Sequence, residues 1–409
     1  MTTQMKLPLD GLTVIDLTTA VAAPTAGRLL AVYGADVIKI ETPPMGDLLR
    51  NMSKGHQLPS EEHNSPLFDV YNSGKRIISL NLKSEKGMEA FHRLLEKADI
   101  FISNVRMRSL RKMKIDPDSL SEKYPRLIYG HFSGFGLEGA DAERPGFDVT
   151  AFWPPSGGLL GWKTPESFVM RPSFGFGDIA SGGYFLSGVL MALYARERTG
   201  KGSLVSTSLL ASGIWCNSTS VINAQPQYGK EYPVPRYQPW DPFSDFFECK
   251  GSGWISIAGK NYDQNKEYYA KLYDMPELLA DPRYEDLITI RESGELESLT
   301  KRIVGKMQEK TAEEWAKICE ENDVPYSILK NFDEVYLDEQ AWANSAFENV
   351  DYGDGVVTAM PMPPIVMPGA EPVGYKPLGS VGEHTNEVLS GIGYSPEEIE
   401  SMRAEKAIL

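Results

Sequence analysis

Apolar and polar positions fall into short alternating blocks along residues 10–136. LTVIDL (12–17) is β-branched and apolar, which predicts a strand. APTAGRLLAVYG (23–34) has helical spacing, with Pro24 in the first turn and Gly34 as the stop. ADVIKIE (35–41) predicts a second strand, so residues 12–41 read as a parallel βαβ unit. KRIISLNL (75–82) is a third strand. Ser84 starts a helix to about Lys97 that sets Met88, Phe91, Leu94 and Leu95 on one face. ADIFISNV (98–105) and RLIYGHFSGFG (126–136) are further strands. Strands alternating with helices predict a doubly wound, Rossmann-like open sheet, in which ligands sit beyond the carboxyl ends of the strands. The loops at 42–50, 104–114 and 134–148 leave such ends. The first crossover has no GxGxxG, so a dinucleotide site has no support.

The rest of the chain changes texture. Residues 42–74 read as a long polar loop. A strong helix runs from about Ile179 to Arg198 and stops at the glycines of TGKG (199–202). ECKGSGWISIAG (248–259) predicts a hairpin, followed by helices near 263–274, 294–309 and 312–322 and a strand at 324–330. The tail from about 345 is extended chain followed by a final helix.

Composition narrows the function classes. A net charge of −15 argues against nucleic acid or an anionic membrane as a partner. No stretch reads as the ~20 apolar residues of a membrane span, and the first residues lack the pattern of a signal peptide. The three cysteines are far apart and fit neither a zinc site nor a disulfide framework, the pattern of a cytoplasmic protein. None of the five histidines stands in a metal-binding motif. No GxSxG elbow or P-loop is found.

Two local features carry chemistry. RMRSLRKMK (106–114) places Arg106, Arg108, Arg111, Lys112 and Lys114 together in an acidic protein. The bland reading is a solvated helix face; the sharper one is a docking surface for a phosphorylated ligand. In FGFGDIASGG (174–183), Asp178 follows Gly177 at the opening of the long helix. Taken alone it reads as an N-cap. A carboxylate there is also kept ionised by the helix dipole, and can act as a nucleophile on an activated acyl group with nearby N–H groups facing the oxyanion.

The segments taken in order resemble the class III CoA-transferases, the formyl-CoA transferase (CaiB–BaiF) type. They are PLDGLTVIDLTTAVAAPTAGRLLAVYGADVIKIE (8–41), KRIISLNLKSEKG (75–87), DIFISNVR (99–106), RPGFD (144–148), GFGDIASG (175–182), RTGKG (198–202) and GEHTNEVL (382–389). The resemblance implies that Asp178 is the catalytic nucleophile, passing through an aspartyl anhydride and an aspartyl-CoA thioester. It implies a CoA site at Leu80, Asn81, Lys83, Asn104, Val105, Arg106 and Lys112, with Phe147 beside the thioester. It implies acyl-CoA and a small carboxylic acid as substrates, with no tightly bound cofactor. The implied architecture is a Rossmann-like large domain, 1–220 completed by 345–409, with a smaller α+β domain at 225–330. Linkers at 221–245 and 331–375 fit an intertwined, ring-like homodimer.

Departures from the family point to the acid. Thr19 and Val21 stand where formyl-CoA transferases carry His and Gln, Thr42 replaces an arginine, and no tetraglycine loop is found near 225–260. Fewer polar groups imply a bulkier, more apolar acid than oxalate. FWPPSGGLLGW (152–162) and YQPWDPF (237–243) are candidates to line its pocket. The texture is closest to transferases of anaerobic amino-acid fermentation that activate 2-hydroxy acids. Two alternatives stay open. One is an α-methylacyl-CoA racemase, which would need an acid/base histidine where Phe147 stands. The other is a non-catalytic CoA-binding protein.

Overall fold

The computed structural model describes residues 7–353 and 355–409. The chain divides into two compact units. One holds the chain up to Leu159, Arg171–Asn223 and Glu339–Leu409; the other holds Leu160–Met170 and Ala224–Asp338.

The first unit is built on six strands: β1 (Thr13–Leu17), β2 (Asp36–Glu41), β3 (Arg76–Ser79), β4 (Ile100–Ser103), β5 (Ile128–Ser133) and β6 (Leu204–Ser208). All pair in parallel, in the order β3-β2-β1-β4-β5-β6. Among its helices are α1 (Ala22–Val32), α2 (Leu49–Met52), α3 (Pro66–Asn72), α4 (Glu85–Leu95), α5 (Met107–Met113), α6 (Pro117–Lys123), α7 (Gly158–Gly161, at the unit's edge) and α8 (Phe176–Thr199).

The strands are apolar on both faces because both are covered. In β4, Phe101 joins a core with Phe91 and Leu94 of α4, whereas Ile100 and Ile102 join the opposite core with Leu30 of α1 and Phe185 of α8. The α4 helix starts where its sequence predicts: Ser84 Oγ accepts the Gly87 N–H at 3.0 Å, an N-cap bond. Val388, Leu389 and Met402, from helices at Thr385–Gly391 and Pro396–Ala404, complete the α4-side core. The tail thus ends in two helices rather than one.

Three expectations change. Residues 42–74 are not one loop, since α2 and α3 lie within them; α3 buries Leu67, Phe68 and Tyr71 against Val21 and Ile77. The α8 helix starts at Phe176, with Gly175 in the left-handed conformation as its cap, so Asp178 lies inside the first turn. This helix is also long and apolar enough to cross a membrane by length and composition alone. In the fold one of its faces is core: Gly182 packs so closely on α1 that a Cβ there would lie 2.5 Å from the Ala22 carbonyl oxygen.

The second unit has an antiparallel three-stranded sheet, Asp245–Glu248, Trp254–Ile257 and Tyr326–Ile328, packed with helices Lys266–Leu272, Leu296–Met307 and Ala312–Glu321. Residues 331–375 carry two short helices, Phe332–Val335 and Glu339–Ala343, and a hairpin, Phe347–Asp351 with Val357–Pro361.

Candidate active site

In this strand order the chain reverses direction between β1 and β4, and the crevice beyond their carboxyl ends is the expected ligand site. A cavity of about 330 Å³ lies there, lined by the turn after β1 (Thr19–Ala22), the segment after β4 (Asn104–Met107), the end of β5, Phe147 and Asp178. The Asn104 side chain closes the crevice floor: its Oδ1 accepts the Thr19 N–H at 3.0 Å and its Nδ2 donates to the Thr19 carbonyl at 2.8 Å. His131, buried on β5, donates from Nε2 to the Val105 carbonyl at 3.0 Å, since a carbonyl can only accept. Burial lowers its pKa and keeps the ring neutral.

A second cavity, of about 960 Å³, lies beside Asn81, Leu82, Lys83 and Ser84 and reaches Lys112. Val105 lines both cavities. The basic segment contains α5, and its side chains divide between the cavities: Arg106 and Arg111 line the first, Ser109 and Lys112 the second. Of the expected ligand residues, Asn104, Val105, Arg106, Phe147 and Asp178 therefore meet at the first cavity, and Asn81, Lys83, Val105 and Lys112 at the second. Leu80 meets neither. Its side chain is fully buried in the core, packed with the α4 side of the sheet.

Asp178 is half-buried, and its ionisation is opposite to the expectation for a helix-start carboxylate. Its pKa is pushed up to about 7, chiefly by burial and further by Asp148. Asp148 is itself raised to about 6 by burial, opposed by the Gly177 N–H and the Trp153 indole. It opens a π-helical turn, Asp148–Phe152, an irregularity frequent at functional sites. A Cβ on Gly177 would lie 2.5 Å from both Asp148 Oδ1 and the Phe152 ring. Glycine precedes the nucleophile candidate because nothing larger fits. Burial pushes both carboxyls towards their protonated forms, and the Asp148 charge adds to the effect on Asp178. Burial, with the Asp178 charge next, also pushes Tyr71 up to about 12, so its hydroxyl stays protonated.

The chain matches the profile of CoA-transferase family III over residues 9–385. The protein belongs to that family. It is 34% identical over 400 residues to the (R)-2-hydroxy-4-methylpentanoate CoA-transferase of Clostridioides difficile, covering 98% of this chain and 99% of the relative. It is 33% identical to the cinnamoyl-CoA:phenyllactate CoA-transferase of Clostridium sporogenes, covering 98% and 97%. Among solved structures, Rv3272 from Mycobacterium tuberculosis matches at 26% identity with a TM-score of 0.79, over 93% of this chain and 99% of that one. A CAIB/BAIF family protein from Brucella suis matches at 26% identity and a TM-score of 0.75, over 95% and 100%.

A family III CoA-transferase must hold a thioester whose nucleotide end is highly charged. The two cavities share Val105 in their linings; one also carries Lys83 and Lys112, the other Val21, Leu48, Phe147 and Leu209 beside Asp178. Of the two segments expected to line the acyl pocket, 152–162 buries Phe152 and Trp153 in the core, and 237–243 belongs to the second unit. Sequence reasoning missed Asp148, although it stands in the quoted RPGFD motif. It also missed His131 and Tyr71, which carry no local signal. Among the described residues no group of three or more His, Cys, Asp or Glu is placed to hold a metal ion.

Proposed function

We propose that this CoA-transferase moves CoA from an acyl- or enoyl-CoA donor to a 2-hydroxy acid through covalent intermediates on Asp178. The observation that carries this reading is the carboxylate itself, set in the switch-point cavity beside Phe147 and the Asn104–Arg106 segment. The ionised Asp178 attacks the donor thioester, forming an anhydride and releasing CoA thiolate. The thiolate attacks the aspartyl carbonyl, giving an aspartyl-CoA thioester and the donor acid. The acceptor carboxylate then attacks that carbonyl, again releasing thiolate. Thiolate attack on the acceptor's acyl carbon gives the new acyl-CoA and restores the Asp178 carboxylate.

Splitting the exchange this way keeps each intermediate close in reactivity to the substrates. The second cavity holds the nucleotide end of CoA through Asn81, Lys83 and Lys112, while Asn104, Val105 and Arg106 hold the arm and Phe147 flanks the thioester. The names of the two clostridial relatives, one for 2-hydroxy-4-methylpentanoate and one for phenyllactate, support a 2-hydroxy acid as acceptor. The apolar wall supports a bulky side chain on it. No tightly bound cofactor is needed. Three free cysteines suit a cytoplasmic enzyme. A homodimer is part of the proposal, supported by the outward face of α8, where Phe176, Ile179, Met191 and Tyr194 are exposed.

Intact-protein mass spectrometry after mixing with cinnamoyl-CoA tests the covalent step. A CoA-sized adduct on Asp178, removed by hydroxylamine, is expected. CoA binding without any adduct overturns the mechanism.

A further inference from the structure

The turn after β1 is held on three sides. Asn104 takes both backbone groups of Thr19. Ala20 adopts φ +67°, a left-handed conformation unfavourable for a residue with a Cβ, and its N–H donates to Asp47 Oδ1 at 3.2 Å. Asp47 is fully buried and paired with Lys39 at 2.8 Å, and Lys39 Nζ donates to the Thr18 carbonyl at 2.7 Å. Val21 then packs on the cap of α8: its Cγ1 lies 3.2 Å from where a Cβ on Gly175 would stand. The turn is therefore fixed relative to the helix that carries Asp178.

Thr19 is the residue of this turn with a polar side chain that lines the cavity. A hydroxyl offers one proton and two lone pairs. One lone pair accepts the Leu48 N–H at 3.2 Å, and no hydrogen bond from the hydroxyl proton is found among the described residues. We infer that Thr19 determines acid specificity: its hydroxyl donates to the 2-hydroxyl oxygen of the acceptor acid, with Asn104 and Asp47 as the positioning residues that aim it. The inference rests on the 2-hydroxy acid reading above. The acid's carboxylate must meet the Asp178 carbonyl, and its 2-position is one bond away. The side chain beyond lies against Val21, Leu48, Phe147 and Leu209. A deoxy acid, such as the donor's own, still passes through Asp178 but leaves the Thr19 hydroxyl without its partner, so it is taken less efficiently than the 2-hydroxy acid.

The test uses the full chain, cinnamoyl-CoA as fixed donor, and two acceptors: 2-hydroxy-4-methylpentanoate and 4-methylpentanoate. The wild type is expected to favour the hydroxy acid in kcat/KM by about tenfold or more. Thr19→Val should collapse that ratio towards one, Thr19→Ser should restore most of it, and the KM for the donor should change little in either. A wild-type ratio near one overturns the inference without needing any variant to fold. So does a ratio unchanged in Thr19→Val, or a loss in that variant shared equally by both acids. A wild type that is labelled by the donor but passes CoA to neither acid overturns the 2-hydroxy acid reading, and the inference with it.

Discussion

Asp148 raises the pKa of Asp178, adding to the effect of burial and bringing that carboxyl to about 7. The turn that carries Asp148 and the helix that carries Asp178 meet at Gly177, where the absence of a side chain lets the two acids approach.

The first consequence is a pH dependence. In the proposed mechanism only ionised Asp178 attacks the donor, so the rate of covalent labelling should rise with pH through about 7. Asp148→Asn removes a neighbouring negative charge and lowers the Asp178 pKa, so the limb should move to lower pH. Rapid-quench labelling across pH 5–9 measures both profiles.

Stability should respond with the opposite sign. A carboxyl whose folded-state pKa is raised favours its protonated form in the native state. The resulting loss of stability is absent below about pH 4 and grows as pH rises towards 7. Asp178→Asn should therefore abolish turnover yet stabilise the protein at pH 8, by on the order of 1 kcal/mol. Urea denaturation at pH 4 and pH 8 checks it: the gain should appear only at the higher pH.

Gly177→Ala should be costly although alanine favours helices. Its Cβ would meet Asp148 Oδ1 and the Phe152 ring at 2.5 Å. Overpacking of this kind costs about 1–3 kcal/mol, and the displaced first turn should also lower kcat. Thermal melts and steady-state kinetics on the same sample separate the two effects.

The strand end at 80–83 should divide by side chain. Lys83→Ala and Lys112→Ala, which remove cations from the second cavity, should raise the KM for acyl-CoA, with little change in kcat or stability. Leu80→Ala should instead destabilise the fold by about 2–5 kcal/mol, because that side chain is wholly in the core. Donor-dependent kinetics and chemical denaturation give the contrast.

The exposed face of α8 gives the last prediction. Met191 and Tyr194 are 70% and 67% exposed. If that face seats a second copy, Met191→Asp should weaken the dimer, seen as a fall in molar mass by light scattering on dilution.

The sheet was legible in sequence because its strands are short apolar runs separated by helical spacing, and both patterns are local. Ser84 as a cap, the helix at Glu85–Leu95 and the hairpin of the second unit follow from the same kind of signal. Residues 42–74 were misread as loop because Pro66–Asn72 is too short to show a helical period. Asp178 was placed at the helix cap because Asp in that position mimics one. What shifts the cap to Gly175 is its left-handed backbone, at φ +71°, which sequence does not display.

The order of motifs by itself determined the family, the sheet and the nucleophile candidate, since each depends on residue type at fixed local spacing. The ionisation of that candidate was decided only by tertiary structure. Burial and a second carboxylate, 30 residues away in sequence, outweigh the helix start and hold Asp178 near neutrality. The same is true of Leu80, turned into the core, and of Thr19, whose backbone is held by Asn104 from 85 residues away. Desolvation and electrostatic coupling depend on distance through space, and a linear sequence carries that distance only where neighbours in the fold are also neighbours along the chain.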